Sequence, residues 1–327
     1  MKKILLYSCV LAITLSGCEQ MEKNEIKDRG KHTVKFSLSD GAETKLTGNS
    51  DENAVNNAVF IIFDGEGGYV TSAIPSGTFS EIELYEGDYE VAAVVNTDVP
   101  SAANSLNSIR ALTVPLEDNS PGNIIMYGEK PFSIGAGSND VTVDVKRTVA
   151  KISIGNIIND MKDPVFQKME FEIKRIFVSN VSGISDLPGN SSPVVWYNKN
   201  GEWDNESAEI KSLLEDTGID RVIPHKGNYE KEFYYYVYPN DTADDSYEAI
   251  WSPRYTRLVI EASIGGDICY YPIPFGNIEA NHTYTINNLT VTKPGTEYPW
   301  EKIDGEFCNF TINVSDWEEG LSMDKTI

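Results

Sequence analysis

From Thr33 onward the chain is a succession of short runs in which apolar and polar residues alternate, separated by turn-forming clusters, and this period of two constrains the fold more than any other feature. In Thr33–Leu38 the apolar positions are Val34, Phe36 and Leu38, so the segment predicts a strand with one buried face. The runs AVFIIFD (58–64), YVTSAI (69–74), FSEIEL (79–84), DYEVAAVVN (88–96) and VTVDVKR (141–147) follow at hairpin spacing, with glycine turns at 65–68 and at Gly87. TVAKISI (148–154) opens a second series: MEFEIKRIFVS (169–179), EFYYYVYP (232–239), YTRLVIEASI (255–264), DICYYPI (267–273), HTYTINNLTV (282–291) and FCNFTINVSDW (307–317). Helix signals are sparse. Ser101–Ala111 predicts one helix with Ser101 as N-cap, and AEIKSLLED (208–216) a short second one inside an otherwise irregular stretch from 185 to 230. Strands at this spacing indicate an all-β chain of two tandem β-sandwich domains with few short helices, divided at residues 147 and 148.

The N-terminus reads differently. Lys2 and Lys3 precede an apolar run from Ile4 to Leu15 and then Leu15-Ser16-Gly17-Cys18, the pattern of a secretory signal too short to span a bilayer as a helix. A cut between Gly17 and Cys18 resembles the lipobox of bacterial lipoproteins, in which that cysteine carries the acyl chains, palmitate among them. Residues 1–17 are then the signal peptide. Glu19, Gln20 and Glu22 resemble the acidic tag that directs some lipoproteins outward. No second run of eighteen apolar residues occurs, so the lipid is the expected membrane attachment.

Loss of Lys2 and Lys3 takes the formal charge from −23 to −25, with 25 basic against 50 acidic side chains. Such a surface repels phosphate backbones, which argues against a nucleic-acid partner. The apolar fraction of 40% is that of folded domains and not of an acidic disordered tail. Beyond Cys9 and Cys18 only Cys269 and Cys308 remain; both fall in strand-like stretches, Cys308 alternating with Phe310, Ile312 and Val314. Two buried thiols are favoured over one disulfide, which the oxidising compartment leaves open.

Catalytic signatures are not found. His32, His225 and His282 come with no partner that spacing supplies, and the sequence holds no nucleophile elbow, zinc-protease pair, phosphate loop or dinucleotide fingerprint, so neither an enzyme nor a cofactor is expected. NDTADD (240–245) clusters oxygen ligands but lacks the glycine and terminal glutamate of a calcium loop, so a solvated turn is the better reading and no metal is expected. Trp196, Tyr197 and Trp203 could form a sugar-stacking platform, against the simpler reading of a packed loop over a sandwich edge.

One anomaly remains. After Lys45 no lysine or arginine occurs until Arg110, where an even spread of the chain's 27 basic residues would place about five. The stretches KLTG (45–48) with NAVNNAVFIIFDGEGG (53–68), RTVAKISI (147–154), FYYYVYPN (233–240), RLVIEAS (257–263) with YYPIPF (270–275), NHTYTINNLTV (281–291) and INVSDW (312–317) together resemble the fimbrillin family, type V pilin subunits with transthyretin-like β-sandwich domains. The resemblance implies a subunit delivered as a lipoprotein to the outer membrane and then cut by an Arg/Lys-specific surface protease. By position the cut falls between Lys45 and Leu46, making 18–45 a lipidated propeptide with the removable strand of Val34, Phe36 and Leu38. Residues 46–147 and 148–327 are then the mature domains. Residues 19–45 hold six acids and six bases, so the released body keeps its charge, and the basic-free stretch would spare it from further cutting.

The family fills the vacated groove with the C-terminal segment of a neighbouring subunit. Here the candidates are Phe310, Ile312 and Val314, and beyond Trp317 the set Leu321, Met323 and Ile327, interrupted by Lys325. The expected partners are other copies of the chain, related fimbrial subunits, the protease, and the outer membrane through the precursor's lipid. The expected location is a cell-surface fimbria. Three alternatives stand beside this: a tip or accessory adhesin of the same apparatus, a retained glycan-binding surface lipoprotein using Trp196, Tyr197 and Trp203, and a hydrolase with a site assembled around His225.

Overall fold

The computed structural model describes residues 30–39, 51–75, 79–135, 137, 139–189, 194–200, 210–242, 252–303 and 307–317. In chain order the first half forms β1 (Lys31–Ser39), β2 (Ala58–Asp64), β3 (Tyr69–Ala73), β4 (Phe79–Tyr85) and β5 (Gly87–Val95). Then come α1 (Leu106–Arg110), β6 (Thr113–Pro115), β7 (Met126–Ile134), β8 (Asp140–Asp144) and β9 (Lys146–Arg147). A three-stranded sheet in the order β4-β1-β8 faces a five-stranded sheet in the order β3-β2-β5-β7-β9. Their inner faces meet in one apolar core, to which Val34, Phe36 and Leu38 contribute from β1, Phe60 and Ile62 from β2, and Val141 and Val143 from β8.

The runs in β2 and β5 are nearly continuous rather than alternating because both faces are covered. Phe60 and Ile62 point into this core, whereas Ile61 and Phe63 join a second cluster with Leu106 and Ile109 of α1. That second cluster runs on into the other half of the chain.

The helix is shorter than Ser101–Ala111 and its N-cap is Ser105, not Ser101. The Ser105 hydroxyl accepts from the Ser108 amide, and the Ser108 hydroxyl answers the Ser105 amide, a reciprocal cap. Upstream, backbone bonds from Tyr69 to Asn104 and from Leu106 to Gly67 tie residues 104–106 to the β2–β3 turn, so the helix cannot start earlier. VTVDVKR is likewise two strands, not one. β8 runs parallel to β1, Val145 turns inward, and β9 crosses to pair with β7. Such corner crossing is a known device of sandwiches. It brings the Asp144 carbonyl against Gly128, where a Cβ would lie 2.1 Å from that oxygen.

The second half forms β10 (Ala150–Asn159), β11 (Phe171–Ser179), β12 (Val181–Ser182), β13 (Ile184–Asp186), β14 (Trp196–Tyr197), β15 (Glu215–Asp216) and β16 (Arg221–Val222). It continues with β17 (Asn228–Val237), β18 (Thr256–Ile264), β19 (Asp267–Phe275), β20 (His282–Ile286), β21 (Leu289–Val291), β22 (Cys308–Asn309) and β23 (Ile312–Asp316). In one sheet β10 pairs with β17 on one side and, in parallel, with β20 and then β21 on the other; β23 and β22 lie outside these. The facing sheet carries β15 and β16 on β11, then β18 and β19. The register of β10 on β17 shifts between Ile154 and Asn156, and the side chains of Asn156 and Asn288 bond at 2.9 Å beside the break between β20 and β21.

HTYTINNLTV and FCNFTINVSDW are therefore each two strands, and the alternation from Cys308 to Val314 does not run along one face. Cys308 is buried on β22, while Val314 on β23 is 57% exposed. Cys269 and Cys308 are both free buried thiols. Of the expected helix at 208–216, residues 208 and 209 lie outside the described residues; the remainder is a 3-10 turn at Ser212–Leu214 followed by β15, which pairs with β11. β6 pairs with β13 and so links the two halves, supported by the Tyr238 hydroxyl donating to the Pro115 carbonyl at 3.2 Å.

Gly128→Ala forces the Asp144 carbonyl out of its place, so the variant should lose at least about 1–3 kcal/mol in urea unfolding, with no comparable loss from alanine at Gly135, where a Cβ meets nothing within 4 Å.

Candidate functional site: the β1 slot and the cluster of Glu52 and Trp317

β1 is the middle strand of its sheet, antiparallel to β4 and parallel to β8. Among the described residues neither β4 nor β8 pairs with any other strand. Val34 and Phe36 are fully buried and Leu38 is 6% exposed. The Phe36 ring lies 5.6 Å from that of Phe60 and meets Phe132 edge-on at 5.4 Å. Outward-facing residues add surface contacts: the Lys35 ammonium sits 4.4 Å from the Phe79 ring, His32 meets Glu86 at 3.2 Å, and Ser37 bonds Thr142 at 3.1 Å.

These features define a slot one strand wide. If β1 were absent, β4 and β8 would face each other across two strand spacings, about 9.5 Å, with unpaired backbone groups along both edges. Burying Val34, Phe36 and Leu38 contributes about 5–8 kcal/mol of transfer free energy, and any replacement strand has to supply a comparable apolar face.

Of the other residues singled out in the sequence, Gly17, Cys18, Lys45, Leu46, Trp203, Leu321, Met323 and Ile327 lie outside the described residues. Phe310 and Ile312 are half-buried against the second core. Ile312 and Val314 belong to β23, which pairs with β20 of its own sheet. Trp196 and Tyr197 form β14 against β12. Tyr197 offers no open ring face of the kind a sugar needs: Lys211 sits 4.6 Å from its centroid and the Gly183 backbone packs so closely that a Cβ there would be 2.6 Å from the ring. Burial, then its hydrogen bond to Glu117, pushes the Tyr197 hydroxyl up to about 12. Among the described residues no group of three or more His, Cys, Asp or Glu side chains could hold a metal.

A second cluster escaped the sequence reading. Glu52, shortly before β2, accepts hydrogen bonds from the Lys151 ammonium at 2.8 Å, the Tyr236 hydroxyl at 3.0 Å and the Trp317 indole N–H at 3.1 Å. Trp317 is 1% exposed, stacks on Tyr236 at 5.7 Å and lies beneath the Arg147 guanidinium, 5.0 Å from its ring centroid. Arg147 in turn donates to the Glu52 carbonyl, to Asn53 and to Asn281. Asn281 holds a left-handed φ of 58°, which asparagine tolerates. Its carbonyl accepts the Trp317 amide at 3.0 Å. Arg147, Asn281 and Trp317 each fall in a stretch that carries the family resemblance, yet nothing local in the sequence marks Glu52.

Burial on its own would raise the Glu52 carboxyl, but the hydrogen bond and charge of Lys151, with Tyr236 and Trp317, hold it below its ordinary value of 4.5. Its stabilising contribution is therefore present above that value and lost as pH falls through the lowered one. Glu52→Gln should flatten the acid limb of stability below about pH 4.5 relative to wild type in denaturant titrations at stepped pH. In the intact chain Phe36→Ala should cost about 3–5 kcal/mol, whereas Val314→Ala should stay within about 0.5 kcal/mol, both read from urea midpoints.

No family model matches the sequence and no curated protein matches it. Solved structures do share its fold. A candidate cell adhesion protein from Bacteroides eggerthii superposes with a TM-score of 0.64 at 16% identity, covering 88% of this chain and 97% of the other. The fimbrilin FimA of Porphyromonas gingivalis gives 0.61 at 18% identity over 87% of this chain and 97% of its own. The tip fimbrial protein Mfa3 of Porphyromonas gingivalis, truncated at its C-terminus, gives 0.53 at 13% identity over 88% and 99%. The chain thus shares the fold of these cell-adhesion and fimbrial structures.

Proposed function

We propose that the chain is a structural subunit of a cell-surface fimbria, a member of the fimbrillin family that polymerises by exchanging strands between copies. The carrying observation is the strand order β4-β1-β8, in which β1 is, among the described residues, the only partner of both neighbours and brings three buried side chains. In this reading the precursor is lipidated at Cys18 and held at the outer membrane. An Arg/Lys-specific protease then cuts between Lys45 and Leu46. β1 leaves with the lipid, residues 46–147 and 148–327 remain as the two units of the mature subunit, and a C-terminal segment of another copy enters the slot. Strand addition of this kind joins main-chain hydrogen bonds to side-chain pockets. Because donor and acceptor are different surfaces, the contact does not close on itself and propagates as a filament.

Two features support the choice of Lys45. The alternative cuts fall at Arg29, Lys31 and Lys35: Arg29 lies outside the described residues and a cut there would remove the lipid but leave the groove filled, whereas Lys35 has backbone pairing on both sides and Lys31 pairs with Tyr85, so ladder hydrogen bonds shield these two while β1 is in place. Downstream, Arg110 is the first basic residue, and its guanidinium is engaged by Glu129 and Glu90. The stretch from 46 to 109 next to the cut therefore offers the same protease no basic residue to attack. On the donor side β23 already has a place in its own sheet, which favours the segment beyond Trp317, with Leu321, Met323 and Ile327, as the strand that is given away.

A tip or accessory subunit would keep the slot but donate no tail. The likeness to Mfa3 keeps that reading beside the first, and incorporation of tagged chains along the filament rather than at its end separates them.

Lys45→Ala should leave a folded precursor that retains the N-terminal segment and forms no polymer after protease treatment, as seen by electron microscopy. Wild-type protein should show Leu46 as its new N-terminus by mass spectrometry. Polymer at wild-type yield from the variant, with no substitute cut nearby, would show the assignment to be wrong.

A further inference from the structure

β23 is a weakly anchored strand. Among the described residues it lies at an edge of its sheet and pairs with β20 alone, and Ile312 is only half-buried while Val314 is largely exposed. Its side chains add the His282–Asp316 pair at 3.0 Å, a hydroxyl contact between Ser315 and the buried Thr283 at 2.7 Å, and a long bond from the Asn313 amide to the Thr285 carbonyl at 3.4 Å. The fully buried side chain at its end is Trp317. The indole occupies a slot whose three walls come from distant parts of the chain: the Tyr236 ring, the Arg147 guanidinium, and the Glu52 carboxylate, which takes its one polar hydrogen. Arg147 also grips the Glu52 backbone, so the acid and the cation hold each other in position around the ring.

We infer that Glu52 is a latch on the last strand: by accepting the Trp317 indole N–H inside the slot formed with Arg147 and Tyr236, it keeps β23 in its own sheet. The latch stands seven residues beyond Lys45, so the segment downstream of the proposed cut and the start of the C-terminal tail are joined at one point. Their connection to assembly rests on the pilin reading, while the latch itself rests on geometry within one molecule. Loss of a hydrogen bond to a half-buried carboxylate, with the stacked ring left in place, is enough to shift local opening without global unfolding.

Hydrogen exchange on the unassembled full chain tests this without any polymer. Glu52→Ala should speed exchange of the amides of residues 312–317 by about tenfold to a hundredfold, while amides of β11 and β18, which do not touch Glu52, keep their wild-type rates. Trp317→Phe, which keeps the stack and removes the N–H, should speed the same amides by less, and Glu52→Ala added to it should have a reduced effect. Unchanged exchange at 312–317, an equal rise in β11 and β18, or fully additive effects of the two changes would overturn the latch. If Glu52→Ala does not fold, Glu52→Gln carries the same expectation, weaker in size. Polymer formation is a separate readout, so failure of the pilin reading leaves this result standing and the converse holds as well.

Discussion

The first sandwich depends on β1, the first strand among the described residues. Among these residues it is the only ladder partner of β4 and of β8, and it closes the core with Val34, Phe36 and Leu38. The three-stranded sheet has its first strand in sequence in the middle, so loss of that strand would open the core. An opening of that shape is one strand wide, lined by apolar side chains and two rows of backbone donors and acceptors. Its natural complement is another extended segment.

The five-stranded sheet keeps such an opening from becoming general unfolding. β2 and β5 bury side chains on both faces, Phe60 and Ile62 towards β1 and Ile61 and Phe63 towards α1 and the second half of the chain. A domain that lost β1 would still hold this sheet against α1 and, through β6 and β13, against the second sandwich. The ion pairs of Arg110 with Glu129 and Glu90 sit on the same side.

Much of the architecture is legible along the chain because period-two alternation, turn chemistry and length are local properties. The limits of β2 coincide with AVFIIFD, and those of β5, β11 and β18 fall within two residues of the runs that announce them. Legibility fails where a segment changes partner partway. VTVDVKR alternates as one strand but crosses from one sheet to the other at Val145, and FCNFTINVSDW splits because β20 and β21, on which it lies, are themselves split. The helix at 101–111 shrank for the same kind of reason: residues 104–106 are held by Gly67 and Tyr69, a contact that no helical periodicity encodes.

The sequence by itself determined the strand content, the buried face of β1, the acidic surface and the interval without lysine or arginine, because each of these is a matter of residue type and spacing. Only the tertiary structure decided that β1 lies between β4 and β8, that Tyr197 is packed rather than open, and that Glu52, Arg147 and Trp317 meet around one indole ring. Strand order and long-range side-chain contacts are set by which surfaces exclude water together, and residues as far apart as 52 and 317 carry no mutual signal until the chain has closed around them.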